Sequence, residues 1–158
     1  MRILGVLLVL ASQVALAREN ADYDTPDNLG LWRFRGTTGE GLEYLRGNAQ
    51  DPSTIILNSG LQVNVLRSGF GSENPNDIEN CKARLVYRGE LVDGDVFDMG
   101  SDDIKIQDII TGFQEGVLMM VEGDRWKLSM PAELGYGDVR KPKVRRTVRA
   151  RGFPARAS

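Results

Sequence analysis

The chain of 158 residues predicts a single α+β domain in which an antiparallel sheet wraps around one short helix. Two observations carry that prediction. Apolar and polar residues alternate over residues 60–67, 83–87 and 126–130, the period of a strand with one buried face. Helical spacing comes late, with Phe113, Val117, Met120 and Val121 forming one stripe between the second and third of those strands. The length allows one sizeable core and not comfortably two.

Taken in order, residues 1–17 read as a secretory signal peptide. Arg2 is the positive start, Ile3 to Leu10 an apolar run continued by Val14 and Ala15, and Ala15-Leu16-Ala17 a small-x-small cleavage site. An apolar stretch of about 15 residues is short of the roughly 20 that span a bilayer, so no stable membrane span is expected. The mature chain would face the endoplasmic reticulum lumen, the cell exterior or a bacterial periplasm. Residues 18–41 are polar and rich in Asn, Asp, Gly and Thr, a flexible leader. The folded body is expected over residues 42–137. Leu42, Tyr44 and Leu45 among charged neighbours suit a short surface helix over residues 39–48.

The first strand follows Ser59, and Ser68-Gly69-Phe70-Gly71 with Asn74-Pro75-Asn76 make a loop. Alternation resumes at residues 83–87 and around Val96 and Phe97. Val92-Asp93-Gly94-Asp95 between them is a hairpin turn in which Gly94 supplies the positive φ. Ile104 and Ile106 imply another short strand. A helix over residues 112–121 ends at Glu122-Gly123-Asp124, and Trp126, Leu128 and Met130 alternate on a following strand. Residues 138–158 hold too little apolar surface to bury and are expected to leave the body as a weakly ordered basic tail.

Composition excludes much chemistry. The sequence has no histidine, which removes His-based acid–base catalysis, Ser-His-Asp and Cys-His arrangements and the usual zinc sites. Cys81 is the only cysteine, so neither an internal disulfide nor a Cys-rich cluster can form. Asp93, Asp95 and Asp98 lack the distal Glu and Gly of a calcium loop, and no metal or cofactor is expected. Residues 1–137 carry 12 basic and 21 acidic side chains, net −9; residues 138–158 carry 8 and 1, net +7. The acidic body argues against nucleic acid. The basic end reads either as an altered C-terminus or as a tail for polyanions or membrane surfaces.

Three separated motifs then point one way. They are the run from Val86-Tyr87-Arg88-Gly89 through Val96-Phe97-Asp98, then Ile109-Ile110-Thr111-Gly112-Phe113, then Met130-Pro131-Ala132-Glu133-Leu134-Gly135-Tyr136-Gly137. In this order they resemble the pocket of an FKBP-type peptidyl-prolyl cis–trans isomerase. Tyr44-Leu45, Asn48-Ala49 and Ser59-Gly60-Leu61-Gln62 look like the lead-in of its macrophage infectivity potentiator branch, whose members are secreted or periplasmic. The resemblance implies a curved antiparallel sheet around a short helix. It also implies a proline pocket lined by Tyr87, Phe97, Asp98, Ile109, Ile110, Phe113 and Tyr136. By the same resemblance the Ile110 N–H and the Tyr136 hydroxyl donate to substrate carbonyls, and Asp98 is held near the Tyr87 hydroxyl. Proline-containing protein clients are the implied partners, with a macrolide such as FK506 a candidate ligand. Phe113 stands where the family usually has Trp. Met99-Gly100-Ser101-Asp102-Asp103 is shorter and more acidic than the family's loop. The similarity is expected to stop at Gly137 or Asp138, with the flap and the last apolar strand of the sheet lacking. An active isomerase, a non-enzymatic peptide-binding or chaperone module, and an inactive truncated product therefore remain as three readings.

Overall fold

The computed structural model describes residues 3–10, 29–75, 78–79 and 81–137. Among them the order is β1 (Ile3–Leu10), α1 (Gly39–Asn48), β2 (Thr54–Ile56), β3 (Gln62–Arg67), β4 (Lys82–Leu91), β5 (Val96–Lys105), α2 (Thr111–Met119) and β6 (Arg125–Met130). Short 3₁₀ turns lie at Leu31–Arg33, Ile106–Asp108 and Ala132–Leu134. One sheet runs β2-β3-β6-β1-β4-β5. The pairs β2/β3, β3/β6 and β4/β5 are antiparallel, and β1 is parallel to both of its neighbours.

Alternation assigns the two faces. Val63 pairs with Leu128, while Gln62 pairs with Ser129 and Asn64 with Lys127, so the register keeps apolar residues on one face and polar ones on the other. α2 lies on the apolar face. Its Phe113 and Val117 share one buried core with Leu61, Val63, Ala83, Leu85, Phe97, Leu128 and Met130. The helix can ride this close because it has glycines there: a Cβ on Gly116 would lie 2.4 Å from Leu128 Cδ1, and one on Gly112 2.7 Å from Met130 Sδ. α1 covers the opposite face through polar contacts. Gln62 Nε2 donates to the Leu45 carbonyl at 3.0 Å, Asn48 Nδ2 to Gln62 Oε1 at 2.8 Å, and the Tyr44 and Ser129 hydroxyls meet at 3.2 Å. Gln62 is fully buried, and these bonds offset the cost of taking its amide out of water.

The structure departs from the sequence reading in three places. Residues 18–28 of the expected leader lie outside the described residues, but 29–38 are packed. Leu31 and Phe34 are buried with Leu42 and Leu45, so α1 is not a surface helix and the body reaches back to Leu29. Phe34 takes the space left by Gly60, whose φ of 95° also suits only glycine; a Cβ there would stand 2.4 Å from the ring. Leu29, Leu31, Trp32 and Phe34 fall within six positions but set up no sustained period, which is why sequence pattern passes them over. Second, residues 99–103 continue β5 rather than forming a loop, and Ile106 opens a 3₁₀ turn. β5 is the edge of the sheet, where acidic side chains are tolerated, and Asp103 pairs with Arg84 at 3.4 Å. Third, the sheet is not left open. β1 stands between β6 and β4, although the described residues contain no strand after β6. The basic tail, residues 138–158, lies outside the described residues.

Candidate active site

The site grows from a hairpin. β4 and β5 turn through residues 92–95, where Gly94 has φ 85° and Asp93 Oδ1 accepts the Asp95 N–H at 2.9 Å. The pairing places Tyr87 opposite Gly100 and Gly89 opposite Asp98, with a bulge between Gly89 and Glu90. Both glycines make room for rings. A Cβ on Gly89 would lie 2.4 Å from Phe97 Cζ, and one on Gly100 3.0 Å from the Tyr87 ring.

The chain then passes through the turn Ile106–Asp108 into α2. Ile110 is the residue before the helix, extended at φ −61° and ψ 149°. Gln114, one turn into α2, donates its Nε2 to the Ile109 carbonyl at 2.9 Å and the Gln107 carbonyl at 3.2 Å, which fixes the Ile109-Ile110 corner. Among the described residues the Ile110 N–H meets no protein acceptor. Tyr136 arrives from the loop after β6. Glu133 in that loop accepts the Gly36 N–H at 2.5 Å and the Thr37 hydroxyl at 2.8 Å, while Thr37 Oγ1 accepts the Ala132 N–H at 2.9 Å. The packed stretch ahead of α1 thus anchors the loop that carries Tyr136.

These segments bring all seven singled-out residues to one cluster. Phe97 and Phe113 are buried, and Tyr87, Ile109, Ile110 and Tyr136 pack against the same core. Tyr87 meets Phe113 edge-on at 5.9 Å and 62°, and Phe97 meets Tyr136 at 6.0 Å and 86°, geometries that favour aromatic pairs. The Tyr87 hydroxyl donates to Asp98 Oδ2 at 3.3 Å. Burial pushes the Tyr87 hydroxyl up to about 12, helped by the charge of Asp98 and by that hydrogen bond. It is therefore a neutral donor at any physiological pH. The arrangement offers an apolar, aromatic-walled surface with one carboxylate held at its rim and one backbone N–H free to donate. Sequence pattern missed the supporting residues Gly89, Gly100, Gln114, Thr37 and Glu133. A glycine inside a strand pattern was the available signal, since it marks close approach by another group. A separate small groove, lined by Glu73, Pro75, Cys81, Lys82, Ala83, Met120 and Glu122, shares none of the seven.

Residues 72–150 match the family of FKBP-type peptidyl-prolyl cis-trans isomerases, half of the chain. The chain belongs to that family. The match runs on to residue 150 and so corrects the expectation that it stops at Gly137: the family pattern continues into the basic residues. Among its relatives, the FKBP-type 22 kDa peptidyl-prolyl cis-trans isomerase of Escherichia coli is 31% identical over 121 residues, 73% of this chain and 57% of that protein. The macrophage infectivity potentiator of Trypanosoma cruzi is 32% identical over 102 residues, 61% of this chain and 51% of that one. The crystal structure of FkpA from Escherichia coli superposes with a TM-score of 0.58 at 29% identity, covering 66% of this chain and 51% of that structure. The chain spans about half the length of the relatives it matches.

Proposed function

We propose that this chain is a peptidyl-prolyl cis–trans isomerase that assists the folding of proteins in the secretory pathway or a periplasm. One observation carries the reading: six apolar and aromatic side chains and Asp98 converge from four separate segments, with the Ile110 N–H left free beside them. An X-Pro bond turns over a barrier of about 18–20 kcal/mol because twisting the amide breaks its resonance, and takes tens to hundreds of seconds. The twisted amide is less charge-separated than the planar one, so dry surroundings favour it relative to water. In the proposed mechanism proline seats on Phe113 between Phe97 and Tyr136, with Ile109 and Ile110 closing the side. The Ile110 N–H and the Tyr136 hydroxyl hold the flanking carbonyls. Asp98, fixed by Tyr87, orients the rim. Catalysis is then preferential binding of the twisted form, which needs neither nucleophile nor metal.

The proposed partners are proline-containing clients, and a macrolide such as FK506 would compete for the same surface. The proposed compartment rests on the signal-like pattern of residues 1–17, even though Ile3–Leu10 pairs as β1 in the sheet; no helix among the described residues is long and apolar enough to cross a membrane. Refolding of a client whose slow phase is limited by proline isomerisation tests the proposal. Catalytic amounts of the full chain should speed that phase, and FK506 should reverse the effect. An unchanged slow phase would sink it. One feature favours the non-enzymatic module as a second reading: β5 runs straight on from Asp98 to Lys105, bringing no further aromatic to that side. That reading predicts suppressed client aggregation with the slow phase untouched.

A further inference from the structure

Tyr136 is the one member of the candidate site that lies outside the stretch from Tyr87 to Gln114, and its own neighbours do little to fix it. It stands between Gly135 and Gly137, and Gly137 has φ 59°. What holds this corner is Ala132. The Ala132 carbonyl accepts the Gly135 N–H at 2.9 Å and the Gly137 N–H at 2.8 Å, which brackets Tyr136. The Ala132 N–H in turn donates to Thr37 Oγ1 at 2.9 Å. Both backbone polar groups of one fully buried residue therefore serve the corner, and one of them reaches a partner 95 positions earlier.

Thr37 is fully buried as well. Its hydroxyl accepts from Ala132 and donates to Glu133 Oε2 at 2.8 Å, while Glu133 Oε1 accepts the Gly36 N–H at 2.5 Å. A hydroxyl can accept and donate at once, and a methyl group of the same size can do neither. Residues 36–37 are themselves well seated. Leu31 and Phe34, just ahead of them, are buried with Leu42 and Leu45 of α1 in a cluster distinct from the core around α2. Position thus passes from that second cluster, through Thr37 and Ala132, to the ring that meets Phe97 edge-on. The family match begins at residue 72, so Thr37 lies outside it.

We infer that Thr37 is a positioning residue for isomerisation, with Glu133 orienting its hydroxyl, and that the pair sets where the Tyr136 hydroxyl meets the substrate carbonyl. Thr37 acts through the Ala132 N–H and touches no substrate itself. Without its hydroxyl that buried N–H loses its acceptor and the Gly135–Gly137 corner is released. Phe113 and Ile110 belong to α2 and its lead-in and stay in place. The clause on isomerisation rests on the reading above; the placement of Tyr136 by Thr37 does not.

The test compares Thr37→Val with Thr37→Ser in the full chain. Thr37→Val should lower kcat/KM for an X-Pro peptide about tenfold with KM little changed, the mark of an interaction made in the transition state. Thr37→Ser keeps donor and acceptor and should restore native turnover. Tyr136→Phe supplies the second axis: once that hydroxyl is gone, adding Thr37→Val should slow the reaction by less than about twofold more. Factors that multiply overturn the inference, as does a loss in Thr37→Val that only follows the unfolded fraction. Should Thr37→Val fail to fold, Glu133→Ala changes an exposed side chain and should show the same dependence on Tyr136 at smaller size. Ring signals of Tyr136 in NMR report placement without activity. They should shift in Thr37→Val and not in Thr37→Ser, and unshifted signals in Thr37→Val overturn the inference. If they shift in this way while no form isomerises X-Pro peptides, the placement stands and the isomerase reading falls.

Discussion

The candidate site and the middle of the sheet are built on opposite plans. Most of the candidate site comes from one continuous stretch, Tyr87 to Gln114, in which a hairpin and the helix after it carry Phe97, Asp98, Ile109, Ile110 and Phe113. Only Tyr136 comes from further along. The middle of the sheet instead joins β6 to β4 through a strand that begins more than 70 residues before β4. Loop-closure entropy makes the first plan cheap to assemble and the second slow and dependent on distant chain. Pocket chemistry should therefore respond to local changes, and global stability to the distant strand.

Phe113→Ala should have the largest effect, because that ring lies in the core and in the candidate site together. Truncating a buried Phe costs about 3–5 kcal/mol, which a thermal or denaturant melt will show as a lower midpoint. Gly89→Ala comes next. Its new Cβ would meet the Phe97 ring and push it off the Tyr136 edge, at a cost of about 1–3 kcal/mol. Affinity for an X-Pro peptide, measured by calorimetry, should fall along with stability.

Tyr87→Phe is milder. It removes the bond to Asp98 and should cost about 1 kcal/mol near neutral pH. It also changes the alkaline limb. The folded-state value of Tyr87 lies above its unfolded one, so its stabilisation is complete below about pH 10. That contribution is lost as pH rises through about 12. Denaturant melts between those limits should weaken more with pH for the native chain than for Tyr87→Phe. Arg84→Ala should matter least. Its partner Asp103 is exposed on an edge strand, and such pairs are worth less than about 1 kcal/mol.

The same contrast explains what sequence could reveal. That Tyr87, Phe97, Asp98, Ile109, Ile110, Phe113 and Tyr136 come together was legible because they sit in short motifs whose order defines the resemblance. α1 and α2 were legible from spacing, and β3, β4 and β6 from alternation. β1 was not, since a continuous apolar run near the start of a sequence also has the pattern of an export signal. Leu31 and Phe34 belong to a short apolar group with no sustained period, so no element could be read from it. The acidic end of β5 reads as a loop because nothing local tells an edge strand from a turn. Gln114 and Glu133 act through backbone groups of distant or irregular segments, which leave no periodic trace.

Exchange spectroscopy on an X-Pro peptide, with the full chain at substoichiometric concentration, tests the central claim most directly. A chain that melts cooperatively should connect the cis and trans proline signals by exchange within a second, far faster than the uncatalysed tens of seconds. Phe113→Leu, a milder change than Phe113→Ala, should weaken that exchange while keeping a cooperative melt. A cooperatively folded native chain that leaves the cis and trans signals unconnected would contradict the account.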